Sequence, residues 1–113
     1  MSENLAFSGV INANCDMFLD TLQQAGVKYD LILTDPPYNV GKDFGNQSDK
    51  LPLDQFLKGM YRRIDKLKDM LTENGSIIWF GIHDYLCYIQ VYMSKVGLYY
   101  RRMNIWRYEN GFS

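Results

Sequence analysis

An aspartate, two prolines and a tyrosine follow one another at Asp35, Pro36, Pro37 and Tyr38, directly behind the apolar run Leu31-Ile32-Leu33-Thr34. A carboxylate accepts hydrogen bonds and stabilises positive charge. Two successive prolines fix two φ angles and offer no backbone N–H, so neighbouring carbonyls are left unpaired and open to a ligand. Tyr38 adds a flat ring with a polar tip. Such a group presents hydrogen-bond acceptors and a flat polar ring on a stiff loop. The bland alternative is a Pro-Pro turn with a capping Asp and a packed Tyr. What favours chemistry is the context: an unbroken apolar run marks a strand buried on both faces, as in parallel sheets. Asp35 then stands at the strand's carboxyl end, where open α/β sheets bind ligands.

The elements that must position this loop can be read in order. Phe7 to Asp16 predicts a short first strand ending in a polar turn at Asp16. Met17 to Ala25 carries Phe18, Leu19 and Leu22 on one helical face and is closed by Gly26. The chain then enters the strand before Asp35, a β-α-β crossover with parallel strands. Asn39 to Pro52 is a polar stretch with Gly41 and Gly45 and no period, a loop long enough to be functional. Leu53, Phe56, Leu57, Met60, Ile64, Leu67 and Leu71 mark a long amphipathic helix, stopped by Thr72-Glu73-Asn74-Gly75. Arg62, Arg63, Lys66 and Lys68 cluster along it and read as a solvated face before a DNA contact.

Ser76 to Gly81 is a second continuous apolar strand, asking like the first for helices on both sides. His83 reads as a loop histidine, and Asp84 as the cap of a helix bearing Leu86, Ile89, Met93 and Val96 up to Gly97. Leu98 to Tyr108 alternates in the manner of a last strand. The fold class expected is α/β, a mostly parallel sheet flanked by helices.

Composition limits the function classes. The 113 residues make room for one domain, with an ordinary 47% apolar and 22% charged content. No apolar run reaches a membrane span, and the first residues lack a signal-peptide pattern, so a cytoplasmic protein is expected. Cys15 and Cys87 have no zinc-type spacing and read as reduced and packed; no metal site is expected. A formal net charge of −1 is weak for a domain gripping DNA unaided. If nucleic acid is the substrate, other parts must supply most phosphate contacts.

The D-P-P-Y tetrapeptide behind a hydrophobic strand resembles the catalytic motif of the amino-group DNA methyltransferases, which methylate adenine N6 or cytosine N4 using S-adenosylmethionine. The resemblance extends over nearly the whole chain. Asp16 stands upstream of Asp35 at the family's separation, though in an Asn14-Cys15-Asp16 turn rather than a G-D-C type. Asn39-Val40-Gly41, Gly75-Ser76-Ile77-Ile78, Ile105-Trp106 and Asn110 also look like the family, while Tyr108 replaces a common Lys. The order, with D-P-P-Y first, resembles the permuted class. The family's Gly-rich cofactor turn is absent, because the chain has no G-x-G, and no target-recognition region is visible.

The resemblance therefore implies residues 1–113 as one domain, the catalytic-motif half of a Rossmann-like methyltransferase. It implies Asp35, Pro36, Pro37 and Tyr38 as catalytic residues and Asp16 and Asp35 as contacts for S-adenosylmethionine. It further implies a flipped DNA base as substrate, adenine ahead of cytosine, and a second polypeptide or second copy completing the sheet. Two other readings remain: a noncatalytic assembly module that keeps the motif as a relic, and an RNA or protein methyltransferase, whose motif more often begins with Asn.

Overall fold

A computed structural model describes residues 9–39, 50–107 and 109. Five elements follow in order: α1 (Cys15–Gln24), β1 (Tyr29–Thr34), α2 (Leu53–Asp69), β2 (Leu71–Trp79) and α3 (His83–Lys95). The two strands pair in parallel. This is an α/β layer with a two-stranded parallel sheet flanked by helices, compatible with part of a Rossmann-like methyltransferase fold.

Helix α2 is the element on which the others pack. Its Phe56, Leu57, Met60 and Ile64 meet Ile89 of α3 in one cluster, while Leu67 and Met70 meet Leu22 of α1 in a second. Trp79 of β2 touches both clusters, so the sheet and all three helices share one continuous interior. Ile32, Ile77 and Trp79 contribute the sheet's inner face.

Polar pairs set the helix directions. Asp16 meets Arg63, Asp20 meets Lys66 and Gln23 meets Asp69, so α1 and α2 descend side by side in the same sense. Tyr92 Oη donates to Asp65 at 2.8 Å, and its ring stacks on Tyr61 at 4.1 Å, which ties α3 to α2. Lys68 donates to the carbonyl of Val96. The basic cluster predicted as a solvated face is thus largely spent within the molecule: Arg63, Lys66 and Lys68 bind neighbouring helices, while Arg62 is exposed.

Two helices end as glycines permit. Gly26 (φ 73°) and Gly97 (φ 101°) adopt left-handed conformations after α1 and α3. In each case the next amide reaches back, Val27 N–H to Leu22 O at 3.2 Å and Leu98 N–H to Met93 O at 2.9 Å. The same pairs join their side chains to the core clusters.

Several expectations need correction. Residues 9–14 form no strand, and Asp16 lies in the first turn of α1 because Asn14 caps that helix through Oδ1, 3.1 Å from Met17 N. Thr72 to Gly75 does not merely stop α2. The helix already ends at Asp69, since the Met70 carbonyl accepts from Tyr29 N–H at 2.7 Å and opens the ladder. Thr72 to Gly75 lie within β2, in the register irregularity between Tyr29↔Leu71 and Leu31↔Ser76. His83 is the first residue of α3, not a loop residue, and Asp84 does not cap it; Ile82 is the cap, without a side-chain bond.

Residues 98–107 form no strand, and Tyr99, Ile105 and Trp106 are exposed. Nor is β1 buried on both faces: Leu31 and Leu33 are 59% and 64% exposed, and Ile78 and Phe80 share that open side. The described helices cover one face only. Both cysteines are free and exposed rather than packed. Among the described residues no helix is long and apolar enough to cross a membrane.

Candidate active site

The carboxyl end of β1 delivers Asp35 to the surface. The ladder continues past the strand through Phe80 N–H to Thr34 O at 2.9 Å, so the two chains separate only at Asp35 and Gly81. Asp35 is exposed. The Tyr38 hydroxyl donates to its Oδ1. That bond, burial and the nearby negative charge raise the Tyr38 pKa above its ordinary value, so the hydroxyl remains a protonated donor even in moderately alkaline solution.

Pro36, Pro37 and Tyr38 form one wall of a pocket completed by Phe56, Met60, Trp79, Phe80, Gly81, Ile82, Tyr85, Leu86 and Ile89. Its walls are almost wholly apolar. The cavity is about 10 Å³, room for no more than one water. A planar base therefore needs these walls to part before it can enter.

Asp16, on the first turn of α1, forms a two-pronged pair with Arg63 of α2: Arg63 Nε lies 2.7 Å from Oδ1 and Nη2 3.3 Å from Oδ2. The Arg63 hydrogen bond holds the Asp16 carboxyl below its ordinary value, against a partly opposing effect of burial.

That lowering has a consequence for stability. Since folding depresses the Asp16 pKa, its contribution is complete above the unfolded-state value of 3.8 and is lost as pH falls through the lower folded value. The pair is half exposed at Asp16, so the effect is modest. Arg63→Met is expected to cost about 0.5–1 kcal/mol near neutral pH, shrinking as the solution is acidified. Urea titrations of both proteins across that range check it; a cost that is the same in acid would show that Arg63 acts by packing alone.

Sequence reasoning gave too little weight to Asn39. It is 1% exposed and has φ 61°, left-handed for a non-glycine residue. Its Oδ1 accepts from Leu51 N–H at 2.6 Å, and its Nδ2 donates to Leu51 O at 3.0 Å. One side chain thereby binds both backbone groups of a residue across the intervening segment. Asn is the residue type that combines tolerance of this backbone with such a two-sided amide. Gly41 and Gly45 of the polar stretch lie outside the described residues, as does Asn110.

Among the described residues no cluster of His, Cys, Asp and Glu could hold a metal. The residues about Asp35 fit one end of a sulfonium methyl donor, because an exposed carboxylate and aromatic rings both attract a compact cation. Nothing among the described residues resembles a Gly-rich cradle for its remainder.

A family model described as DNA methylase matches residues 29–113. The chain is 31% identical over 112 residues to the Type II methyltransferase M.HpaI of Haemophilus parainfluenzae, covering 98% of this chain and 33% of that protein. It is 30% identical over 107 residues to the Type II methyltransferase M1.MboII of Moraxella bovis, covering 95% of this chain and 40% of that protein. A shorter match to M.BglII of Bacillus subtilis is 42% identical over 50 residues, 44% of this chain and 13% of that protein. The chain thus spans about a third to two fifths of the first two relatives' length. No solved structure matches. With its strand-end carboxylate, its Pro-Pro-Tyr wall and a family match over three quarters of its length, the chain belongs to the N6/N4 DNA amino-methyltransferase family.

Proposed function

We propose that this chain supplies the catalytic wall of a DNA methyltransferase acting on the exocyclic amine of a flipped base, adenine N6 ahead of cytosine N4. The observation that carries the reading is an exposed Asp35 carboxylate at the end of a parallel strand, hydrogen-bonded to Tyr38 beside an apolar pocket. An exocyclic amine is a poor nucleophile because its lone pair is delocalised into the ring. Asp35 and the Pro36 carbonyl accept its two hydrogens and draw the nitrogen toward tetrahedral geometry. Asp35 orients the amine and stabilises the developing positive charge; it need not deprotonate the amine beforehand. Tyr38 supplies the stacking surface for the extruded base, and Pro37 shapes the pocket wall.

S-adenosylmethionine, when bound, supplies an electrophilic methyl group. Asp35 would face its reacting end and Asp16 its amino or ribose groups. Because the Tyr38 hydroxyl occupies Oδ1 of Asp35 in the present arrangement, an incoming amine must share or displace that bond. Asp35 retains Oδ2 for the purpose.

Activity requires a completing segment, in this reading a second polypeptide or a second copy of the chain. What supports this is the bare sheet face of Leu31, Leu33, Ile78 and Phe80, together with relatives of far greater length. Parallel sheets are ordinarily covered on both faces. The isolated chain is expected to self-associate with rising concentration, and Leu33→Lys to relieve that. Sedimentation velocity checks it; a wild-type monomer at every concentration would count against an uncovered sheet.

The functional test measures transfer of a labelled methyl group from S-adenosylmethionine to plasmid DNA. It uses the chain alone and the chain joined to the segment of the Haemophilus parainfluenzae relative that it does not match. Digestion to nucleosides then identifies the product. Labelled N6-methyladenine is the expected outcome, and N4-methylcytosine would overturn the choice of base. A folded chimera that labels no DNA would favour the noncatalytic module instead.

A further inference from the structure

We infer that Tyr85, on the first turn of α3, is a positioning residue that fixes the Asp35–Tyr38 pair through Asn39. The inference deepens the proposed function, since it rests on the role given there to Asp35. Tyr85 is far from the D-P-P-Y segment in sequence, but its ring lines the same pocket as Pro36, Pro37 and Tyr38.

Asn39 follows Tyr38 directly, so its backbone conformation determines where the tyrosine leaves the loop. Left-handed geometry costs a non-glycine residue on the order of 1–2 kcal/mol and persists only where the surroundings enforce it. Here the enforcement comes from three residues, Leu51, Tyr85 and, more weakly, Lys50, whose Nζ donates to the Asn39 carbonyl at 3.4 Å. Leu51 pairs with the side-chain amide, as described above. Tyr85 Oη donates to the Asn39 carbonyl at 3.2 Å and accepts from Asn39 Nδ2 at 3.3 Å. A single hydroxyl therefore engages both the backbone and the side chain of Asn39.

Tyr85 is itself held. Its ring lies 4.9 Å from that of Phe56, tilted by 53°, and it packs on the α2–α3 core cluster. The path thus runs from a rigid helix pair, through one hydroxyl, to the residue that sets the position of Tyr38. Tyr38 in turn donates to Asp35. The pair of bonds to Asn39 is part-buried, and without it, among the described residues, the Asn39 carbonyl keeps only the longer bond from Lys50 Nζ at 3.4 Å and Nδ2 only Leu51 O. The loop end then gains freedom while the ring of residue 85 stays packed.

The test is spectroscopic and uses the full chain labelled with ¹³C at the tyrosine Cζ, with the Tyr38 signal assigned by Tyr38→Phe. Asp35→Ala removes the acceptor and defines the Tyr38 signal without its bond. In Tyr85→Phe the Tyr38 signal is expected to move most of the way to that position, while the remaining tyrosine signals keep their folded dispersion. A Tyr38 signal unmoved in folded Tyr85→Phe would overturn the inference. Should that variant not fold, the wild-type chain decides: cross-relaxation between the Asn39 side-chain amide and the Tyr85 ring supports the contact, and its absence overturns it. Neither readout involves methyl transfer. Failure to methylate DNA would therefore refute the proposed function without altering the outcome for Tyr85.

Discussion

Asp35→Ala, in the completed enzyme, is expected to lower kcat for DNA methylation by about 10²–10³-fold or more, the scale of removing one group aimed at transition-state charge. The change removes the only carboxylate in the D-P-P-Y group, so the amine would keep its delocalised lone pair. KM for DNA should change much less, because Asp35 touches an atom that is a small part of the DNA surface. Asp35→Asn separates charge from shape. It retains the size of the side chain but places a donor where two acceptors are required, and a comparable loss is expected. Stability should hardly move, within about 0.5 kcal/mol, since Asp35 is exposed and, among the described residues, its side chain bonds to Tyr38 alone. Single-turnover methyl transfer and urea unfolding of the same preparations check both halves. A folded Asp35→Ala enzyme with undiminished kcat would remove Asp35 from the mechanism.

The parts of the fold legible in the sequence were those governed by local period. The apolar spacing from Phe56 to Leu67 specified α2 and its buried face, although Leu53 is exposed and Leu71, counted with the helix, belongs to β2; Gly26 and Gly97 marked two helix ends where left-handed φ values occur. The run Leu31 to Leu33 specified β1 and, with it, the strand-end position of Asp35. What the sequence could not disclose depends on residues far apart in the chain. Asp16 is drawn to Arg63, 47 positions away, a long-range pair invisible to spacing rules. The end of α2 is set by Tyr29 claiming the Met70 carbonyl, not by the polar residues that follow.

The alternation of Met103, Ile105 and their neighbours resembles a strand, but a strand requires a partner for its backbone groups, and residues 98–107 have none in the sheet. The continuous apolar run of β1 correctly calls for cover on two faces, while the described helices provide one. The D-P-P-Y motif itself was readable because its chemistry is local. Its support by Asn39 and Tyr85 was not, because a buried amide flanked by a polar stretch has no signature beyond its residue type.

Ile64→Ala is expected to have the largest effect on stability, about 2–5 kcal/mol, because it removes three carbons from a completely buried position. Ile64 is 0% exposed and belongs to the cluster that joins α2 to α3, between Met60 and Leu67 along the buried face of the helix. The walls cannot easily collapse onto a cavity there, since α2 is fixed to α1 by Arg63 and Lys66 and to α3 by Tyr92 and Lys68. A small domain has only about 5–15 kcal/mol of stability in total. With a sheet face uncovered, this chain is expected toward the low end, so the substitution can consume most of it. Leu33→Ala is the internal control: it also shortens an apolar side chain, but at a position 64% exposed, and should cost far less in the isolated chain. Trp79, packed on both clusters, reports unfolding by fluorescence, whereas Trp106 is 85% exposed and contributes a nearly constant background. A cost below about 1 kcal/mol for Ile64→Ala would mean that α2 is not the packed centre of the layer. Equal costs at the two positions would instead mean that the outer face is covered in solution, through self-association that buries Leu33 as effectively as α2 buries Ile64.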